Sequence, residues 1–500
     1  MNHTYFKTRI MKAIFKSAVL VAAITTAMCM TSCNDKEDDL GGGGNSGANK
    51  ETVNIGDGSN AYEINENMTL TADKNYNLLG WVYVTAGNTL TIEPGTVIKG
   101  DKESKATLII ERGARLVAEG EQNNPIVFTS AQAPGMRKPG DWGGIILLGK
   151  ATNNKGEMTI EGGVRSAHGG SDDSDNSGIL KYVRVEYAGI EYSTDNEINS
   201  VTFGSVGSGT QVDYVQVSYS GDDSYEWFGG TVNCKHLVAL GTWDDDFDTD
   251  NGYRGKLQFL VGLRDPKYAD KSSSNGFESD NESGGQPIDP RTRPIFANVS
   301  LFGPVDNPAT YVDEGNTHGS DMGIFQTGVQ IRRSSELNLF NSVIAAWPIG
   351  LIIENDKSGS TTQEDATAGF CNVMGNVMAG TRKNFQDAAL NPKNRTDVVN
   401  PADAGTFVTD YWNKSTRKNS QPLASLAELM LQGDPLNINN PDFCPSSTSP
   451  LASGADWSHA YVQDAFFSHV SYRGAFAPEE SASNNWMSGW TNFDPQNTVY

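Results

Sequence analysis

The chain is poor in cysteine, with five in 500 residues, and poor in positive charge. It also has no long apolar run after its first thirty residues. Each scarcity excludes something. The cysteines show no C-x-x-C or Cys/His spacing of the kind a zinc site needs. Beyond Cys29 and Cys33 only Cys234, Cys371 and Cys444 remain, so at most one disulfide can form, with Cys371–Cys444 the candidate. A core this long needs no covalent staple. No later segment is apolar enough over a sufficient length to cross a bilayer as a helix. Against 61 Asp and Glu stand 38 Lys and Arg, a net charge of −23. That excess repels nucleic acid and anionic lipid, and suits calcium or a neutral or cationic ligand. Gly-x-Ser-x-Gly, phosphate-loop and dinucleotide fingerprints are missing as well, which removes the common serine-hydrolase and nucleotide-dependent activities.

What is present begins with an address. Lys7, Arg9, Lys12 and Lys16 precede an apolar run from Ala18 to Met30 that is too short to span a membrane stably, the layout of a secretory signal. Met11 is an alternative start. Met30-Thr31-Ser32-Cys33 places small residues before a cysteine and resembles a lipobox, which implies cleavage after residue 32 and lipidation of Cys33; Cys29 fits less well because Met28 is bulky. Removing residues 1–32 leaves 34 Lys and Arg against 61 Asp and Glu, a mature charge of −27. Residues 33–52 are first acidic (Asp35 to Asp39) and then Gly-rich (Gly41 to Gly47), a composition that cannot bury apolar surface and reads as a flexible tether. The acidic run beside Cys33 resembles the export signal of Bacteroidota-type surface lipoproteins. That implies an outer-membrane protein, held by its lipid and facing the exterior.

From about Val53 short β-branched runs alternate with Gly, Asn, Asp and Pro, and helical periodicity is absent. Examples are Gly80-Trp81-Val82-Tyr83-Val84, Thr89-Leu90-Thr91-Ile92 and Ala106-Thr107-Leu108-Ile109-Ile110. Leu180-Lys181-Tyr182-Val183-Arg184-Val185-Glu186-Tyr187-Ala188-Gly189 is echoed by Val212-Asp213-Tyr214-Val215-Gln216-Val217-Ser218-Tyr219-Ser220-Gly221. The same phrase returns more loosely at 235–241, 256–262, 297–303, 337–344 and 370–377. Irregular repeats of short strands with polar corners predict an all-β chain, a right-handed parallel β-helix whose coils stack on one another. A propeller or sandwich is the rival, but signals for hairpins between paired strands are lacking. The expected organisation is a β-helix over 53–380 with a long loop at 264–294, a loop and helix insertion at 381–460 carrying a helix from Leu423 to Leu431, and a C-terminal capping segment at 461–500.

Leu90-Thr91-Ile92-Glu93-Pro94-Gly95-Thr96-Val97-Ile98 and Leu108-Ile109-Ile110-Glu111-Arg112-Gly113-Ala114-Arg115-Leu116 resemble coils of pectin-lyase-like β-helix proteins. Pro139-Gly140-Asp141-Trp142-Gly143-Gly144, Glu226-Trp227-Phe228-Gly229-Gly230 and Asp244 to Gly255 resemble an uncharacterised family of secreted bacterial lipoproteins, a likeness spanning roughly residues 75–500. It implies the fold and, by analogy, an accessory role beside outer-membrane nutrient receptors; it implies no activity.

Candidate chemistry concentrates in Asp222 to Arg254. Stacked coils lie about 4.8 Å apart, so acidic runs at the same corner of adjacent coils converge. Asp222, Asp223, Glu226, Asp244, Asp245, Asp246, Asp248 and Asp250 are the candidate ligands for Ca²⁺, which takes six to eight oxygens; the EF-hand pattern itself fails, lacking its glycine and distal Glu. Solvated turn acids are the plain alternative. Tyr225, Trp227, Trp243, Tyr253 and Arg254, with Trp142, are the candidate ligand-binding residues, as an aromatic platform for a sugar ring; structural plugs are the competing role. The same strip serves three readings: capture of an extracellular ligand such as a glycan for a receptor complex, a polysaccharide lyase or glycoside hydrolase with Arg254 or Lys256 as base, and an adhesin or scaffold. Non-catalytic capture is preferred. His168, His318, His459 and His469 have no matching nucleophile or ligand spacing and read as structural.

Overall fold

A computed structural model describes residues 50–193, 196–312, 317–318, 321–389 and 406–500. The expected signal segment, Cys33 and most of the tether lie outside the described residues.

The ladder strands pair in parallel with the same segment of the next coil, and the antiparallel pairs, such as Met158–Thr159 with Ala167–His168, lie outside the ladder. Early coils have three strands each, as in Trp81–Val84, Thr89–Ile92 and Val97–Gly100. One sheet holds eleven strands from Tyr62–Ile64 to Lys383–Gln386, all paired in parallel. The remaining two faces merge into a second sheet of sixteen strands. The merger happens at Gly178–Glu186, whose first half pairs with Arg115–Glu119 and whose second half pairs with Ile126–Ser130. The chain is therefore a parallel β-helix, and the two echoing phrases are neighbouring rungs in the register their similarity predicts: Leu180 faces Val212, Val183 faces Val215 and Val185 faces Val217.

The bend between the two halves repeats in later coils at Tyr182, Tyr214, His236, Phe259, Asn298 and Asn341, all with φ between 49° and 63°. Bulky residues resist this left-handed conformation. Here it is compensated by stacking: Tyr182 on Tyr214 at 4.5 Å, Tyr214 on His236 at 4.3 Å and His236 on Phe259 at 5.2 Å between ring centroids.

Inside, equivalent positions form columns. Val82, Leu108, Ile145, Val201, Tyr225, Phe247, Phe277, Val329, Leu351 and Phe385 follow one another up the eleven-stranded sheet, and all belong to the main core. Burying each large apolar side chain contributes about 1.5–3 kcal/mol, so the column's worth accrues by addition rather than at a single hub.

Several expectations need correction. The loop expected at 264–294 contains a rung, Phe277–Ser279, and the ladder runs past 380 to Lys383–Gln386. Leu423 to Leu431 forms only a 3-10 turn, Leu426–Leu429, opened by a capping box between Ser425 and Glu428 and ended by Met430 in the left-handed conformation; among the described residues the α-helices are Thr362–Ala368 and Thr406–Asn413. Cys234, Cys371 and Cys444 are all buried free thiols, so the Cys371–Cys444 pairing is wrong. The C-terminal segment does not cap an end. It returns along the outside of the sixteen-stranded sheet, where Asn341 pairs with the backbone of Asp456, Gln258 with that of Ser468 and Gln216 with that of Asn492, each by reciprocal amide hydrogen bonds of 2.7–3.1 Å. Trp490 lies edge-on to Tyr182 and Tyr214, and Tyr500 donates to Glu186 at 2.6 Å.

Candidate functional site

The return segment lies on the sixteen-stranded sheet; the chemistry lies on the outer face of the other. Its outward central column begins as Glu63, Tyr83, Ile109 and Ile146, continues as Thr202, Glu226, Asp248, Glu278 and Gln330, and ends at Ile352 and Gln386. The apolar rungs are roofed by Ile160, Val164, Ile190 and Ile198 from the excursions after Gly144–Leu148 and Gly178–Glu186. The acidic rungs follow directly, and the corner preceding them stacks Asp222 and Asp223 beside Asp244 and Asp245.

The carboxylates converge as the coil spacing demands. Ligand oxygens of Asp222, Asp223 and Asp244 lie within 4.8 Å of one another, and so do those of Asp223, Glu226 and Asp248. Asp223, Glu226 and Asp245 are buried, at 7 %, 6 % and 3 % exposure. Burial is the main force pushing Asp222, Asp223, Glu226, Asp244, Asp245 and Asp248 well above the usual carboxylate range, and neighbouring carboxylates push the same way. Backbone and side-chain donors hold parts of the cluster. Asp223 accepts from the amide of Asp245 at 2.7 Å, Glu226 accepts from Asn199, and Asp244 accepts from Ser272 at 2.8 Å. One enclosed oxygen each of Asp244 and Asp248 has no hydrogen-bond partner among the described residues.

The structure divides the eight candidate ligands. Asp222, Asp223, Glu226, Asp244 and Asp248 meet. Asp245 spends its Oδ1 on the amide of Asn275. Asp246 points away to the fully buried Arg264 at 3.3 Å; burial raises its carboxyl to about 6 while the guanidinium pulls it down. Asp250 binds the amide of its neighbour Asn251, and burial with Asp280 nearby lifts it to about 8.

The aromatic platform is corrected. Tyr225, Trp227, Tyr253 and Trp142 are fully buried, and the first three stack inside the coil at 5.5–5.9 Å. Strand alternation explains this, since Tyr225 and Trp227 flank the outward Glu226 and must point inward. Trp243 is buried too, at 5 % exposure, but lines an open cleft. Arg254 is committed to Asp173 at 3.2 Å and Lys256 to Asp464, so neither lyase base stands at the acids. His168 is buried against Ser205 at 2.9 Å, with desolvation lowering it to about 4.

Sequence reading missed the acids that arrive from a distance. Glu278 completes the column, raised by burial to about 7 although Arg332 pairs with it. Glu161, itself exposed, and Glu197 both push Asp222 upward. Asp270, which lines the adjoining cleft, also acts on Asp222 and Asp244. A cleft of about 320 Å³ opens there, lined by Gly221 and Trp243 from the corner, by Glu197 and Asp270, and by Lys102, Lys138 and Lys271. The lysines bring positive charge beside an acidic centre, and the mixed lining suits a polar ligand with several oxygens.

Residues 62–416 match the sequence model of the pectate-lyase-like β-helix domain. The chain belongs to that family. The matched span includes every rung of the acidic column and stops before the return segment, which in this pectate-lyase-like protein clamps the opposite sheet. No curated protein matches the chain. No solved structure matches it either.

Proposed function

We propose that this β-helix is a surface lipoprotein, anchored through Cys33, that captures an extracellular glycan at the cleft beside Trp243, with Ca²⁺ held by Asp222, Asp223, Glu226, Asp244 and Asp248. The observation that carries the reading is the convergence of two carboxylate triads next to an open cleft. Hard oxygen donors without thiol or imidazole suit calcium, and polar cleft walls suit hydroxyl-rich ligands. Capture is preferred over cleavage because Arg254 and Lys256 are engaged elsewhere. Supply of the ligand to an outer-membrane receptor follows from the proposed address.

The test is a polysaccharide panel on the mature chain, with calcium and with EGTA, scored for binding and for new reducing ends or unsaturated products. Binding that needs calcium and yields no product is expected. Product release would replace capture by a lyase or hydrolase, and a protein indifferent to calcium and to every glycan would leave an adhesin or scaffold.

A further inference from the structure

The two triads share one residue, Asp223. We propose that the acidic column is a two-cation centre, with Asp223 bridging an inner divalent ion among Asp223, Glu226 and Asp248 and an outer one among Asp222, Asp223 and Asp244. The proposal rests on the calcium reading above and goes beyond it in number and in division of labour.

Charge argues for the second ion. Five carboxylates supply the two triads, and each must give up its proton to ligate a cation; with all five ionised, one divalent ion leaves three negative charges uncompensated in a partly enclosed site, and two leave one. The guanidiniums at this face are already taken, Arg332 by Glu278 and Asp280, and Arg333 by Asp280 and Asp356.

An independent observation points to the inner ion. Thr202 stands next to Glu226 in the outward column, is fully buried, and its hydroxyl has no hydrogen-bond partner among the described residues. Val201 and Phe203 on either side belong to the core, so strand alternation turns Thr202 to the acidic face. A buried hydroxyl left unpaired costs about 1–3 kcal/mol; a cation beside Glu226 gives that oxygen a partner. The enclosed oxygen of Asp248 gains one in the same way.

The two positions differ in access. The inner triad has two buried members and one half-buried, whereas the outer has one buried and two half-buried. Asp222 and Asp244 directly follow Gly221 and Trp243, which line the cleft. The inner ion therefore ties adjacent coils together, and the outer keeps coordination positions for water or for oxygens of the captured ligand.

Calcium stoichiometry decides it, measured by equilibrium dialysis of radioactive calcium against the mature lipoprotein in detergent after EGTA treatment. Two ions per chain are expected. One ion overturns the two-cation centre and leaves the calcium reading standing; none overturns both. Glu226→Gln should weaken one site by at least about tenfold and keep the other, and Thr202→Val, which keeps the side-chain shape, should weaken the same site measurably. Unchanged inner-site affinity in Thr202→Val would remove the hydroxyl from the inner ion and overturn that assignment. Asp222→Asn should instead abolish calcium-dependent glycan binding while the calcium-dependent rise in Tm persists.

Discussion

Without cations the acidic column should make the protein less stable as pH rises, the reverse of ordinary acid denaturation. Glu278 illustrates the sign. Burial raises its carboxyl from 4.5 to about 7 in the folded chain. The folded state thus holds a proton that the unfolded state releases, so the stability this proton confers is complete below about pH 4.5 and is lost as pH rises through 7. A shift of about 2.5 pH units corresponds to about 3 kcal/mol. Over the 427 described residues, with an unfolding entropy of about 2.1 cal/mol/K per residue, that is a fall in Tm of about 3 °C. Asp250, raised to about 8, extends the same trend to higher pH. Calcium at about a hundred times its dissociation constant should restore about 2.7 kcal/mol per bound ion at pH 8. The assay is differential scanning calorimetry from pH 5 to 8, in EGTA and in calcium. A Tm that is flat or rises with pH in EGTA, or that ignores calcium at pH 8, would refute the reasoning.

Trp227→Ala empties a core position stacked on Phe203, Tyr225 and Tyr253, and should cost about 3–5 kcal/mol, read from the urea midpoint; an unchanged midpoint would return Trp227 to the surface. Arg264→Ala strands the buried Asp246 and should cost about 3–5 kcal/mol, whereas Arg264→Met with Asp246→Leu should recover most of it, by the same measurement. Thiol titration with a chromogenic disulfide should find Cys234, Cys371 and Cys444 unreactive in the native chain and all three reactive in guanidinium without reductant; a single reactive thiol would mean a disulfide.

The ladder was legible because coils repeat: the phrases at 180–189 and 212–221 align residue for residue, and the aligned residues are neighbours. The acidic corner was legible for the same reason, since Asp222-Asp223 and Asp244-Asp245 stand one coil of 22 residues apart. Long excursions hide the repeat, which is why Glu278, 30 residues beyond Asp248, looks like loop in the sequence. The aromatic platform is excluded by strand alternation: a strand that turns Glu226 outward turns Tyr225 and Trp227 inward. The return segment left no periodic signal. Gln216, Gln258 and Asn341 look like solvent-facing rung residues until the backbone they bind is in place.

A stack of coils in contact only with their neighbours unravels like a zipper, one end coil at a time. The return segment adds a second, parallel connection. It touches coils from Asn341 back to Glu186, so opening any coil between them also requires peeling a strand of chain that begins far away in sequence. Contacts of such separation slow folding, and in exchange the middle of the ladder, where the acidic column sits, should open only with the whole. The geometry of the carboxylates is then guarded from the opposite face by a segment that never touches them.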